Sequence, residues 1–171
     1  MTERLFYAIW PGEPQRDALS RVQLGFPDHR GRSTYPEDFH ITLVFLGDLD
    51  AQVRACAEQA ADRVRAAPFS LTLDRLGCFP RVRVVWCGAS QRPQPLLDLV
   101  QALQGGLLGC GLRPERRPFE PHVTLARKAR PLPARALEHP VVWPVSEIAL
   151  VIARPGGRPR YAVERRWSLI P

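Results

Sequence analysis

One short segment occurs twice, and its spacing limits the architectures open to the chain. His40-Ile41-Thr42-Leu43 and His122-Val123-Thr124-Leu125 share the pattern His, β-branched, Thr, Leu, 82 residues apart in a chain of 171. A repeat at about half the chain length predicts two similar lobes related by a pseudo-twofold axis. Each copy sits in a run rich in apolar and β-branched residues, 39–47 and 122–127, which reads as a strand. On a strand, His and Thr at i and i+2 share a face, about 6–7 Å apart. Ile41, Leu43 and Phe45, and likewise Val123 and Leu125, are then expected to turn the other way, into a core. If the lobes face each other, two imidazoles and two hydroxyls line one cleft. Two histidines can divide acid and base work near neutral pH, and threonine hydroxyls can donate to phosphate oxygens.

The remaining periodicity predicts an α+β fold with mainly antiparallel strands and helices on the outside. Strands are expected over 4–10, 69–79, 82–89, 146–154 and 160–170, besides the two His-Thr strands. Helices are expected over 13–24, with Ala18, Val22 and Leu24 on one side; over 50–66, capped by Asp50 and carrying Val53, Cys56, Ala57, Ala60 and Val64; and over 93–108, with Leu96, Leu97, Val100, Leu103 and Leu107. Gly156-Gly157 marks a turn between the last two strands. Residues 25–38, 109–121 and the proline-rich 131–144 read as connections. No stretch resembles an interdomain linker, so residues 1–171 are expected to form one domain of two lobes. No run of 18 apolar residues predicts a membrane span, and the N-terminal segment does not read as a secretory signal.

Charge is divided unevenly. Residues 1–85 hold 11 basic and 11 acidic residues, whereas 86–171 hold 13 and 6, so the net +7 lies entirely in the second half. This points to a phosphate-bearing partner, although all but one of the basic residues are arginine, as a coding bias would also produce. Arg127 is the candidate phosphate clamp. Strict alternation from His122 and Thr124 would turn it away from the cleft, so a bend at the strand end is needed to bring it back. Phe79 and Tyr35 could stack a terminal base; packing is the ordinary role for both. Arg81, Arg113, Arg116 and Arg117 could follow a nucleic-acid backbone or form a solvated basic loop. His29 and His139 fall in loop-like contexts and read as surface residues. The four cysteines, 56, 78, 87 and 110, are widely spaced without metal-ligand spacing, which predicts free thiols in a reducing compartment and no zinc site. The segment 106–112, GLLGCGL, lacks the Lys-Ser/Thr of a phosphate-binding P-loop.

With both motifs in view, the chain resembles the 2H phosphoesterase superfamily, named for its paired His-x-Thr/Ser-x motifs. Within it the closest likeness is to the bacterial and archaeal RNA 2′,3′-cyclic phosphodiesterases, also called 2′-5′ RNA ligases. The likeness runs almost end to end, through RLFYAIWP, PEDFHITLVFLGDL, FPRVRVVWCG, FEPHVTLAR and RYAVERRWSL. It implies a two-lobed, pseudo-twofold fold with a central cleft, with His40 and His122 catalytic and Thr42, Thr124 and Arg127 binding phosphate. It implies hydrolysis of an RNA 2′,3′-cyclic phosphate to a 2′-phosphomonoester without metal or cofactor, with His40 as general acid and His122 as general base. A monomer in the cytoplasm, able to reverse to 2′-5′ ligation, completes the expectation. The alternatives are a related enzyme acting on a small cyclic nucleotide or ADP-ribose cyclic phosphate, and a non-catalytic RNA-binding module.

Overall fold

The computed structural model describes residues 1–26, 30–113 and 115–171. The elements in chain order are β1 (Glu3–Ile9), α1 (Glu13–Leu24), β2 (Arg32–Ser33), a 3-10 turn (Pro36–Asp38), β3 (Ile41–Leu49), α2 (Ala51–Asp62), β4 (Phe69–Phe79), β5 (Val84–Gly88), α3 (Gln94–Leu108), β6 (His122–Arg127), β7 (Arg135–Val145), β8 (Glu147–Ala153) and β9 (Tyr161–Ser168). The strands form one antiparallel sheet in the order β7-β4-β5-β6-β3-β1-β8-β9, with β2 added beside β6. At its centre β3 and β6 meet only through Ile41 and Val123. That seam divides the sheet into two four-stranded lobes, β3-β1-β8-β9 and β6-β5-β4-β7, whose innermost strands carry the two motifs. The α+β expectation and its two-lobed form are met.

The period of two sorts β1 between faces. Leu5, Tyr7 and Ile9 join the main core with buried residues of all three helices. Phe6 and Ala8 turn to the opposite, open face, where they pack with Ala149 and Val151 and border Trp10, Tyr161 and Val163. Asp50 caps α2 as expected, its carboxylate accepting from Val53 N–H at 2.9 Å. In α1 Leu19 is the buried residue, with Ala18 and Val22 half-buried beside it. Leu24, two residues past Val22 and so on the far side of the helix, is 76% exposed, contrary to expectation.

Three further expectations need correction. Phe45 does not enter the core; it is 59% exposed, with Arg4 over its ring. The pairing of β3 with β1 skips Leu43 and again Leu46. Each bulge adds a residue and shifts the alternation, so Leu43 and Val44 are both buried. Gly47, at φ +86°, accommodates the second bulge.

The proline-rich 135–145 region is a strand rather than a connection. Its Val141, Trp143 and Val145 alternate inward against β4. β7 is the outer edge of its lobe, so Pro140 and Pro144 remove no hydrogen bond that an inner strand would need. His139 is therefore on a strand, although exposed as expected.

Cys56 and Cys110 are not free: they form a disulfide across Cα atoms 5.7 Å apart. Their separation of 54 residues hid the pair. α2 and α3 close the distance by packing tightly, with Gly106 lying against Ala60. Cys78 and Cys87 are free. The bond joins α2 to the turn that follows α3. Replacing both cysteines by serine is expected to lower the unfolding free energy by about 4 kcal/mol, the chain-entropy value for a loop of this length. Urea denaturation should show it; an unchanged midpoint would contradict it.

Candidate active site

The sequence around each motif builds the same local device. Pro36 and Pro118 stand four residues before the two histidines, and Asp38 and Glu120 two residues before. His40 Nδ1–H donates to the Asp38 carbonyl at 2.7 Å, and His122 Nδ1–H donates to the Glu120 carbonyl at 2.7 Å. A carbonyl can only accept, so Nδ1 carries the proton in both rings and Nε2 is left for a ligand.

His40 lies just before β3 on the open face. Trp10 stacks on it at 5.5 Å with 5° between planes, Tyr161 meets it edge-on at 4.9 Å, and Phe6 packs at 4.9 Å. Burial among these rings pushes its pKa down to about 4. The Asp38 carbonyl opposes that shift, while Arg127 and His122 add to it. His122 opens β6 with Phe79 edge-on at 5.0 Å. Its pKa is lowered too, chiefly by burial and further by Arg127, with the Glu120 carbonyl and carboxylate opposing.

Asp38 is the buried charged residue the sequence reading passed over, 2% exposed. Its carboxylate accepts the backbone N–H groups of Arg160 at 2.9 Å and Tyr161 at 3.3 Å. It thereby fixes the start of β9, and the ring of Tyr161 with it, against His40. Burial raises its pKa, while the two N–H donors and Arg160 oppose the rise.

The threonines share the open face. Thr42 is paired with Ala8, a residue of the open-face cluster, and Thr124 with Trp86. Trp86 lies across Gly77, where a Cβ would come within 2.3 Å of the indole. That clearance lets the indole sit on this face, against Phe79 at 5.5 Å.

Arg127 returns to the cleft by a bulge. Between β5 and β6 the register passes from Trp86–Thr124 to Val85–Ala126, leaving Leu125 as the extra residue. Leu125 and Ala126 are both buried, and Arg127 emerges on the side of Thr124. The bulge follows the motif threonine in both copies, Leu43 in one and Leu125 in the other. A cavity of about 860 Å³ opens at the seam and is walled by His40, Thr124 and Arg127 among others. Thr42 and His122 are not part of its wall. His122 is nonetheless close enough for its charge to act on His40, and Arg127 acts on both imidazoles.

The cavity extends to one side of the seam, toward β2 and the β8–β9 turn. Tyr35 lines it; Phe79 does not. Arg81, Arg113, Arg116 and Arg117 are also outside it, and Arg32, Arg158 and Arg160, which the sequence reading did not single out, are its basic residues besides Arg127. His29 lies outside the described residues. Among the described residues no group of three His, Cys, Asp or Glu is placed to hold a metal ion, and no helix is long and apolar enough to cross a membrane.

Comparison with known proteins agrees with this geometry. The RNA 2′,3′-cyclic phosphodiesterase of Escherichia coli K12 is 34% identical over 98% of this chain and 97% of its own. The protein of that name from Thermus thermophilus is 33% identical over 97% and 90%. The crystal structure of E. coli LigT complexed with 3′-AMP superposes with a TM-score of 0.90 at 33% identity, covering all of both chains. The family model of the 2′-5′ RNA ligase superfamily matches residues 11–157, and the chain belongs to that superfamily.

Proposed function

We propose that the protein is an RNA 2′,3′-cyclic phosphodiesterase, a hydrolase that opens the cyclic phosphate at an RNA 3′ end. The observation that carries this reading is the mirrored pair of imidazoles, each anchored through Nδ1 to the carbonyl two residues before it, with Arg127 returned to the cavity wall beside His40 and its charge acting on both rings. His122 Nε2 accepts a proton from water as its oxygen attacks phosphorus. His40 Nε2–H donates a proton to O3′ as the P–O3′ bond breaks, leaving a 2′-phosphomonoester. Thr42 and Thr124 donate to the non-bridging oxygens, and the Arg127 fork meets the charge that builds on them. A 5′-hydroxyl in place of the water gives a 2′-5′ diester by the same proton transfers. One chain carries both motifs, so a monomer suffices; RNA as substrate favours work in the cytoplasm, whereas the Cys56–Cys110 bond removes the free-thiol argument for it.

The acid, the base and the anion binder are all side chains, so hydrolysis of an oligonucleotide 2′,3′-cyclic phosphate should survive excess EDTA. Activity lost on chelation and restored by a divalent cation would contradict the reading.

The pH profile should show the lowered imidazoles. In the free enzyme both lie below the ordinary value of about 6.5, His40 at about 4. The bell of kcat/KM, set by the free enzyme, should therefore have both limbs below pH 6.5. A bound phosphate anion favours imidazolium, so the kcat bell should lie at higher pH. Coincident bells would contradict this. Stability follows the same sign. The unfolded chain binds a proton at His40 more readily than the native one, so stability is full above about pH 6.5 and falls toward pH 4.

A further inference from the structure

The cavity is larger than one cyclic phosphate needs, and its far wall is arginine-rich. β2 pairs with β6 so that Arg32 stands directly opposite Arg127. Like charges at opposed positions destabilise a strand pair unless an anion lies between them or beside them. The pair is nevertheless held firmly: Thr34 N–H donates to the Leu125 carbonyl at 2.8 Å, and Gln23 Nε2 donates to both the Thr34 and Leu125 carbonyls. Across the cavity, the turn between β8 and β9 brings in Arg158 and Arg160, and the Arg158 guanidinium lies 5.0 Å from the centre of the Tyr35 ring. Among the described residues, Arg32, Arg127, Arg158 and Arg160 form no ion pair with a carboxylate, whereas elsewhere Arg54 has three and Arg165 two. Thr34 Oγ1, also in the wall, is buried without a hydrogen-bond partner among the described residues.

We propose that this arginine-lined extension is a subsite for the RNA strand upstream of the reacting end, with Arg32 and Arg158 binding the next phosphate and Tyr35 stacking a base. The inference rests on the proposed function and adds a substrate preference to it: an oligonucleotide end over a mononucleoside cyclic phosphate. Charge favours the strand, since a mononucleoside cyclic phosphate brings one phosphate to a cavity whose wall holds four arginines and one carboxylate, Asp38. Stacking on tyrosine and guanidinium planes tolerates any base, which suits a site reading an RNA end irrespective of sequence.

The test compares kcat/KM on adenosine 2′,3′-cyclic phosphate with kcat/KM on a trinucleotide ending in the same group. Wild type should prefer the trinucleotide on the order of tenfold or more, the scale of one charge-assisted contact. Its rate on the trinucleotide should also fall more steeply with salt, by a slope of roughly 0.7 per added phosphate contact. Arg158→Gln and Arg32→Gln should bring the preference close to one, with Arg158→Lys keeping part of it, and Tyr35→Ala should reduce it. A general loss of fold lowers both rates and leaves the ratio intact. Equal wild-type rates on the two substrates, or a preference untouched in all these variants, overturn the subsite. A wild-type protein inert on both substrates overturns the proposed function instead.

Discussion

His40→Ala and His122→Ala should each lose turnover on a cyclic-phosphate RNA end by roughly two orders of magnitude or more, the scale of a proton-transfer group. The double variant should be little worse than the weaker single one, because groups acting as a unit are not additive. Both imidazoles are half-buried, and their removal leaves the main core untouched, so the variants should fold. The cause of the loss then shows in the pH profile, which should lose one limb in each single variant. His139→Ala, at an exposed position of the edge strand β7, should behave as wild type. A folded His122→Ala protein with full activity would remove the two-histidine mechanism.

Arg127→Ala should have the second large effect, a loss of roughly 10²–10³ in kcat, as for a donor aimed at transition-state charge. Arg127→Lys should restore part of it, because lysine keeps the charge and loses the planar fork. The side chain reaches the cleft only because Leu125 is an extra residue in β6. Its charge also depresses both imidazoles. In Arg127→Ala the surviving kcat/KM profile should therefore move to higher pH. Steady-state kinetics across pH measures both effects, and an unmoved profile would contradict the placement of the guanidinium beside the two rings.

Much of this was legible because it is local. Runs rich in apolar and β-branched residues marked β1, β3, β6, β8 and β9, and the repeated His-Thr pair marked the two strands at the seam. The rest depends on partners distant in sequence. The bulges at Leu43 and Leu125 exist only in the pairing of β3 with β1 and of β6 with β5. They explain why Phe45 leaves the core and Arg127 enters the cleft. β7 was hidden by Pro140 and Pro144, which are tolerated only because no strand lies beyond it. The setting of His40 joins Phe6 and Trp10 at one end of the chain to Tyr161 at the other, and the Cys56–Cys110 bond spans 54 residues. The backbone carbonyls that orient both imidazoles carry no residue signature, although the acid two residues before each histidine recurs in both copies.

In the proposed reaction one bond is broken at phosphorus, with the O3′ leaving group protonated from His40. The most direct test is to hydrolyse an oligonucleotide ending in a 2′,3′-cyclic phosphate and to assign the product by phosphorus NMR. The expected product is a 2′-phosphomonoester alone, formed by wild type and lost in His40→Ala. A 3′-phosphomonoester, or a cyclic phosphate left intact by the wild-type protein, would contradict it.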